Sequence, residues 1–234
     1  MQDVMSCRYI KASGEKLVHI SVLSLDLGVD LDYTYASKLR GYIGNSFREY
    51  PILHHHVGEL GYLYSYPKVQ YKIIMGQPFI VGIDEGAKVV EEIAPQLKLI
   101  MMDKEFLVKS KSLTTISERV GPCGESKAYE FLTPWIALNE WNSEIYRAAD
   151  FNGKQEILRR ILVGNVLSLC KGINHSVGRR LRAAVFLRPT KVVYKALEFT
   201  AFTGMFLINY DLPTLAGIGK GVSHGFGTIK RIDQ

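Results

Sequence analysis

The sequence predicts an α+β protein made of two tandem ferredoxin-like (RRM-like) domains, the second degenerate and closing on a glycine-rich loop. Three observations carry this. Hydrophobic patterning from residue 16 to residue 120 runs strand, helix, strand, strand, helix, strand. A turn-rich segment, Gly121-Pro122-Cys123-Gly124-Glu125-Ser126, then separates two patterned regions. After it the order strand, helix, strands recurs, with five glycines in eleven residues where a regular second helix would stand. A chain of 234 residues is comfortable for two domains, here 1–122 and 123–234.

Each element has its own signal. KLVHISVLSLD at 16–26 alternates well enough for a strand. Asp30 or Asp32 can cap a helix running to about Phe47, with Tyr35, Leu39, Ile43 and Phe47 on one stripe. Pro51 opens a short loop with three histidines. Tyr62–Ile74 reads as a strand bent at Pro67, Gly76-Gln77-Pro78 as a turn, and Phe79–Ile83 as the partner strand. Glu85–Gln96 is helical, with Val89, Val90 and Ile93 inward, and Glu105–Val120 is extended. In the second half, Ala128–Leu138 reads as a strand. Asn139–Lys171 is helical with a break near Phe151-Asn152-Gly153 and a core stripe of Ile157, Ile161, Leu162, Val166 and Leu169. Extended segments follow near Arg182–Leu187, Lys191–Leu197 and Phe202–Asn209, before the glycine loop and one last strand.

Composition narrows the class. Apolar residues make up 47% and charged residues 22%, which excludes wholesale disorder. No stretch approaches the roughly 18 apolar residues of a membrane helix, and no membrane partner is expected. MQDVMSCRYIK lacks a basic end followed by an apolar run, so no secretory signal is expected. Cys7, Cys123 and Cys170 are odd in number and far apart, which fits a reducing, cytoplasmic setting.

The net charge of +6 is uneven: residues 1–120 hold 14 basic and 14 acidic side chains, residues 121–234 hold 15 and 9. Lys171, Arg179, Arg180, Arg182, Arg188, Lys191 and Lys195 follow one another with no acid between them. Such a field attracts polyanions, although a merely solvated face would carry the same charge.

His54-His55-His56 offers groups that take and give protons near neutral pH. In an extended segment His54 and His56 share a face. A zinc pair would need a third ligand, and none stands at motif spacing, so no metal is expected. Asp26, Asp30 and Asp32 form an acid cluster, read as loop and N-cap residues rather than as metal ligands. Tyr62, Tyr64, Tyr66 and Tyr71 could stack bases or be ordinary half-buried strand residues.

In the loop, Gly217, Gly219, Gly221, Gly225 and Gly227 allow close backbone approach, and Lys220, Ser223 and His224 add a charge and donors. The spacing fits neither a Walker A loop nor a dinucleotide fingerprint. A phosphate-backbone cradle is the reading favoured here over a bare chain reversal.

GIGKGVSHGFGTIK resembles the signature glycine loop of the RAMP superfamily of CRISPR-associated proteins. With KLRGYIGNSF, LHHHVGELGYLYSYPKVQYKII, PWIALNEWN and LVGNVLSLCKG, the chain is similar from about residue 38 to residue 231 to the repeat-processing endoribonucleases of that superfamily. The resemblance implies two ferredoxin-like domains and cleavage of precursor CRISPR RNA with no metal and no cofactor. The RNA 2′-hydroxyl would attack the adjacent phosphate, leaving 5′-hydroxyl and 2′,3′-cyclic phosphate ends.

On this resemblance His54 and His56 are jointly acid and base, and Tyr64 assists orientation. Relatives place a lysine near the end of the first helix, where this chain has Ser46, so phosphorane stabilisation falls to Arg40, Arg48 or Lys72. The RNA-binding set is then Arg40, Arg48, Lys72, Lys171, Arg179 and Arg180 together with the loop residues Gly217, Gly219, Lys220, Gly221, Ser223, His224, Gly225 and Gly227. The implied partner is CRISPR repeat RNA. An effector complex and a homodimer stay open, as does the alternative of a non-catalytic RNA-binding subunit.

Overall fold

The computed structural model describes residues 14–54 and 66–232. Its elements in chain order are strand β1 (Lys16–Asp26), helices α1 (Tyr35–Ser46) and α2 (Pro51–His54), strands β2 (Val69–Ile74) and β3 (Gln77–Ile83), and helix α3 (Glu85–Ile93). A small hairpin of β4 (Leu99–Met101) and β5 (Glu105–Leu107) leads into the long strand β6 (Ser110–Trp135). Helices α4 (Glu140–Ala148) and α5 (Phe151–Gly172), then strands β7 (Ala183–Tyr194), β8 (Leu197–Asp211) and β9 (Ile229–Arg231), complete it.

Both halves show the ferredoxin-like strand order. In the first half the neighbours run β2-β3-β1-β6, and in the second β7-β8-β6-β9, all antiparallel. The second crossover is helical in the first half (α3) and is the glycine loop in the second.

β6 belongs to both halves. Its first part pairs with β1, from Ser110 opposite Asp26 to Val120 opposite Lys16. From Gly121, opposite Asp211, the partner becomes β8. The segment 121–126 is therefore strand, where turn chemistry suggested a boundary loop. Its irregularity is absorbed by a register shift between Pro122 and Lys127, a bulge that lets glycine and proline stay in the ladder.

Other differences have local causes. The β2–β3 turn is Met75-Gly76, both at positive φ, and Pro78 lies inside β3 opposite Ile73. β7 is continuous through Pro189 because it is an edge strand, so the missing donor faces no neighbour. Asp150 breaks the long helix by accepting from the Gly153 N–H at 2.7 Å, one residue before the Phe151–Gly153 break expected. The buried stripe of α5 is Leu158, Leu162, Val166, Leu169 and Cys170, with Ile157 and Ile161 at its margin.

Two main cores result. One lies under α1, α2 and α3 and includes Leu23, Leu25, Leu39, Ile43 and Tyr71. The other lies under α5 and includes Trp135, Tyr129, Phe202, Phe206 and Tyr210. Between them a small aromatic cluster joins Tyr33 to Tyr194 and Phe226, and Tyr33 Oη also accepts from the Val193 N–H at 3.0 Å. The glycine loop is thus packed against the start of α1.

Candidate functional site

α1 buries Ala36, Leu39 and Ile43, which leaves Ser37 and Arg40, three residues apart, as neighbours on another face. That face meets the glycine loop. Within the loop Val222–His224 makes one 3-10 turn between Gly221 and Gly225, both in the left-handed region. Gly225 also needs its missing side chain, because a Cβ there would stand 2.9 Å from the Tyr71 carbonyl oxygen. The turn directs His224 at α1.

The His224 ring has a determined tautomer. Arg40 Nη1 lies 3.3 Å from Nε2, and a guanidinium only donates, so Nε2 accepts. The proton therefore sits on Nδ1, which donates to Ser37 Oγ at 2.8 Å. Tyr194 packs edge-on at 5.3 Å between ring centroids. Burial, followed by the positive charges of Arg40 and Lys195, lowers the His224 pKa to about 4. The imidazole is neutral at ordinary pH.

This cluster is linked through Tyr71 to Leu53, the residue before His54. The Arg40 charge reaches the phenol of Tyr71, and Tyr71 Oη donates to the Leu53 carbonyl at 3.3 Å. Leu53 is buried in the core, and the next residue, His54, ends α2. His54 is thus placed as the last residue of a short helix, where a loop was expected. His56 and Tyr64 lie outside the described residues, as does the strand start expected at Tyr62.

Beneath the loop runs a buried polar network. Gln70 Oε1 accepts from the Gly217 N–H and from Lys72 Nζ, each at 2.9 Å. Gln70 Nε2 donates to Tyr66 Oη at 2.9 Å, and Tyr66 Oη donates onward to the Gly217 carbonyl at 2.8 Å. Lys72 Nζ also donates to Thr228 Oγ1 at 3.1 Å. This corrects the expectation for Lys72, which is fully buried with its ammonium held inside the network. Desolvation alone brings its pKa down to about 7. Alternation along β2 did not expose Lys72, because both faces of that strand are covered.

The loop glycines divide in two. Gly217, Gly225 and Gly227 are buried, and their N–H groups donate to Gln70 Oε1, the Val222 carbonyl and the Pro134 carbonyl. They shape the loop, which corrects the picture of a cradle formed by all five. Gly219, Lys220, Gly221, Ser223 and His224 form its accessible side, with the Lys220 ammonium 4.3 Å from the Phe199 ring centroid.

The basic run divides as well. Arg179 reaches the Cys123 carbonyl at 3.5 Å, and Arg180 is exposed beside it. The Lys220 N–H meets the Ile136 carbonyl, just past the end of β6 and thirteen residues beyond Cys123. Arg179 and Arg180 therefore stand apart from the His224 cluster. Lys171 is exposed at the C-terminus of α5, and Arg48 just beyond α1. Lys195, in the β7–β8 turn, acts on His224 and was not singled out from sequence; its place in the acid-free run was the available signal.

Asp26 and Asp32 have loop roles, accepting from the Gly28 and Thr34 N–H groups at 2.7 and 2.9 Å. The N-cap of α1 is Thr34, with no side-chain cap bond. Among the described residues no three His, Cys, Asp or Glu side chains gather as a metal site requires. Nor is any described helix long and apolar enough to cross a membrane.

Comparison with known proteins matches residues 17–119 to the model of the Cas6b N-terminal domain and residues 122–232 to that of the Cas6b C-terminal domain. A crystal structure of a Cas6b is 31% identical and covers 93% of this chain and 100% of its own, with a TM-score of 0.86. A second, of a CRISPR RNA processing endoribonuclease Cas6b, is 30% identical over the same shares, with a TM-score of 0.76. An uncharacterized protein of Methanocaldococcus jannaschii is 42% identical over 118 residues, 50% of this chain and 80% of its own length. A RAMP protein binding different RNA substrates shares the fold at 14% identity, covering 93% of this chain and 99% of its own, with a TM-score of 0.54.

Proposed function

Since the chain belongs to the Cas6b family, we propose that it processes CRISPR RNA, cutting the precursor within its repeats by attack of the RNA's own 2′-hydroxyl. The observation that carries this reading is the meeting of the α1–α2 segment, ending at His54, with the glycine loop of the other half through Ser37, Arg40 and His224. A substrate lying on this seam is gripped by both domains at once.

The chemistry needs little from the protein beyond position and proton transfer. A bond forms from the 2′-oxygen to phosphorus while the bond from phosphorus to the 5′-oxygen breaks. A base takes the 2′-proton and an acid delivers one to the 5′-oxygen, leaving a 2′,3′-cyclic phosphate and a 5′-hydroxyl. His54 and His56 share these two roles, and Tyr64 orients the strand. Charge on the phosphorane is met by Arg40, whose charge reaches the Tyr71 phenol that bonds the Leu53 carbonyl, rather than by the buried Lys72. No step calls for a metal or a cofactor. DNA, without the 2′-hydroxyl, is not a substrate.

His54→Ala and His56→Ala, assayed for cleavage and for binding of repeat RNA, test the assignment. Loss of cleavage by at least about 100-fold with binding retained is the result expected. Unchanged cleavage would remove these histidines from the mechanism. A wild-type protein that binds tightly and never cuts would make the chain an RNA-holding subunit instead.

A further inference from the structure

His224 lies across the domain seam from α1, yet it stands in an unusual position for an RNA contact. Its Nδ1–H is given to Ser37 Oγ at 2.8 Å and its Nε2 to Arg40 at 3.3 Å, so both nitrogens are engaged within the protein. Tyr194 packs T-shaped against the ring. The turn that carries it is locked between two left-handed glycines, and Gly225 packs directly on the β2 backbone at Tyr71. The same Tyr71 holds the Leu53 carbonyl beside His54. Arg40 is therefore held by an acceptor from the second domain, and its charge reaches Tyr71, whose phenol bonds the Leu53 carbonyl next to His54.

We propose that His224 is a positioning residue for Arg40: as a hydrogen-bond acceptor fixed by the glycine loop, it aims the guanidinium at the phosphate to be cleaved. A guanidinium presents five N–H donors in one plane, so fixing one edge fixes the direction of the others. A neutral ring is required, because a second cation would repel Arg40 and could not accept. Enclosure of the ring beside the Arg40 and Lys195 cations supplies that condition, and Ser37 Oγ accepts the proton left on Nδ1. Its two carriers lie on different domains, so the device also makes the charge at the scissile phosphate depend on the domains being docked. This inference rests on the endoribonuclease reading given above.

A double-mutant cycle tests it. Single-turnover cleavage at saturating repeat RNA, together with RNA affinity, is measured for wild type, Arg40→Ala, His224→Ala and the double variant. Each single variant is expected to cut about 10–100-fold more slowly at saturating RNA, and His224→Ala to lose no more affinity than Arg40→Ala. The double variant is expected to be no slower than Arg40→Ala alone, because His224 acts through Arg40. Losses that multiply in the double variant, or full activity in His224→Ala, would overturn the proposal.

Should His224→Ala fail to fold at the assay temperature, His224→Gln and His224→Asn decide. Gln can present an acceptor oxygen at the place of Nε2 and is expected to restore most of the rate. Asn reaches only the place of Nδ1 and is expected to restore little. Equal rates for the two would contradict the role. A wild-type protein that does not cut repeat RNA at all would instead fail the reading on which the inference rests.

Discussion

Gln70 Oε1, on β2 of the first domain, accepts from the backbone N–H of Gly217, the first residue of the glycine loop in the second domain, at 2.9 Å. The same oxygen accepts from Lys72 Nζ, and the amide nitrogen of Gln70 donates to Tyr66. One fully buried side chain thus ties the loop to the sheet that supports the His54 segment.

Gln70→Leu removes four hydrogen bonds at once, to Gly217, Lys72, Tyr66 and Pro67, and leaves the Gly217 N–H buried without its acceptor. An unpaired buried donor costs about 1–3 kcal/mol, and the loss from a network is larger than from one bond. Denaturant unfolding is expected to show a loss of about 2–4 kcal/mol. A loss below about 0.5 kcal/mol would mean that the network does not hold the loop.

Lys72→Met is expected to fold and to keep RNA affinity, because Lys72 is enclosed and touches no solvent. Its stability should also lose a pH dependence that the wild type has. The Lys72 pKa is 10.5 in an ordinary setting and about 7 in the folded chain. Between those values the unfolded chain holds more protons, so wild-type stability rises with pH across this window and the contribution at its lower end is unfavourable. Unfolding titrations at about pH 7 and about pH 9 should show a gain of roughly 1 kcal/mol per pH unit in wild type and a flatter response in Lys72→Met. A sharp drop in RNA affinity on this substitution would return Lys72 to the binding surface.

Salt dependence separates the exposed cations near the loop. Lys195 acts on His224, and Lys220 sits exposed on the accessible side of the loop. Removing either is expected to lower the slope of log affinity against log salt by about 0.7–0.9, the value of one phosphate contact in a single strand or a duplex. Lys191 is paired with Glu198 at 2.7 Å, so Lys191→Ala should change the slope little. Equal changes in all three would point to a diffuse field rather than to contacts beside the loop.

The elements were legible where local chemistry is strong. The alternation of Val18, Ile20 and Val22 marked β1, and the glycine loop was placed where a helix is missing. β6 was not legible as one strand, because Gly121, Pro122 and Gly124 carry turn chemistry and only pairing with two different partners keeps them extended. Within the site, Arg40 and His224 were each identifiable by type, but 184 residues separate them in sequence, and only the docking of the loop on α1 makes them a pair. Lys72 misled for the opposite reason. A lysine among tyrosines reads as surface, and its burial depends on Gln70 and Thr228 arriving from two domains to receive the ammonium.

The central claim is cleavage by the substrate's own 2′-hydroxyl on the seam between α1 and the glycine loop. It is tested most directly by incubating the protein with 5′-labelled repeat RNA in excess EDTA, beside copies with a 2′-deoxy at each candidate site in turn. One cut is expected that persists in EDTA and vanishes for a single deoxy position, with a cyclic phosphate on the 5′ fragment. A cut that survives every deoxy substitution, or that is lost on chelation and restored by a divalent metal, would contradict it.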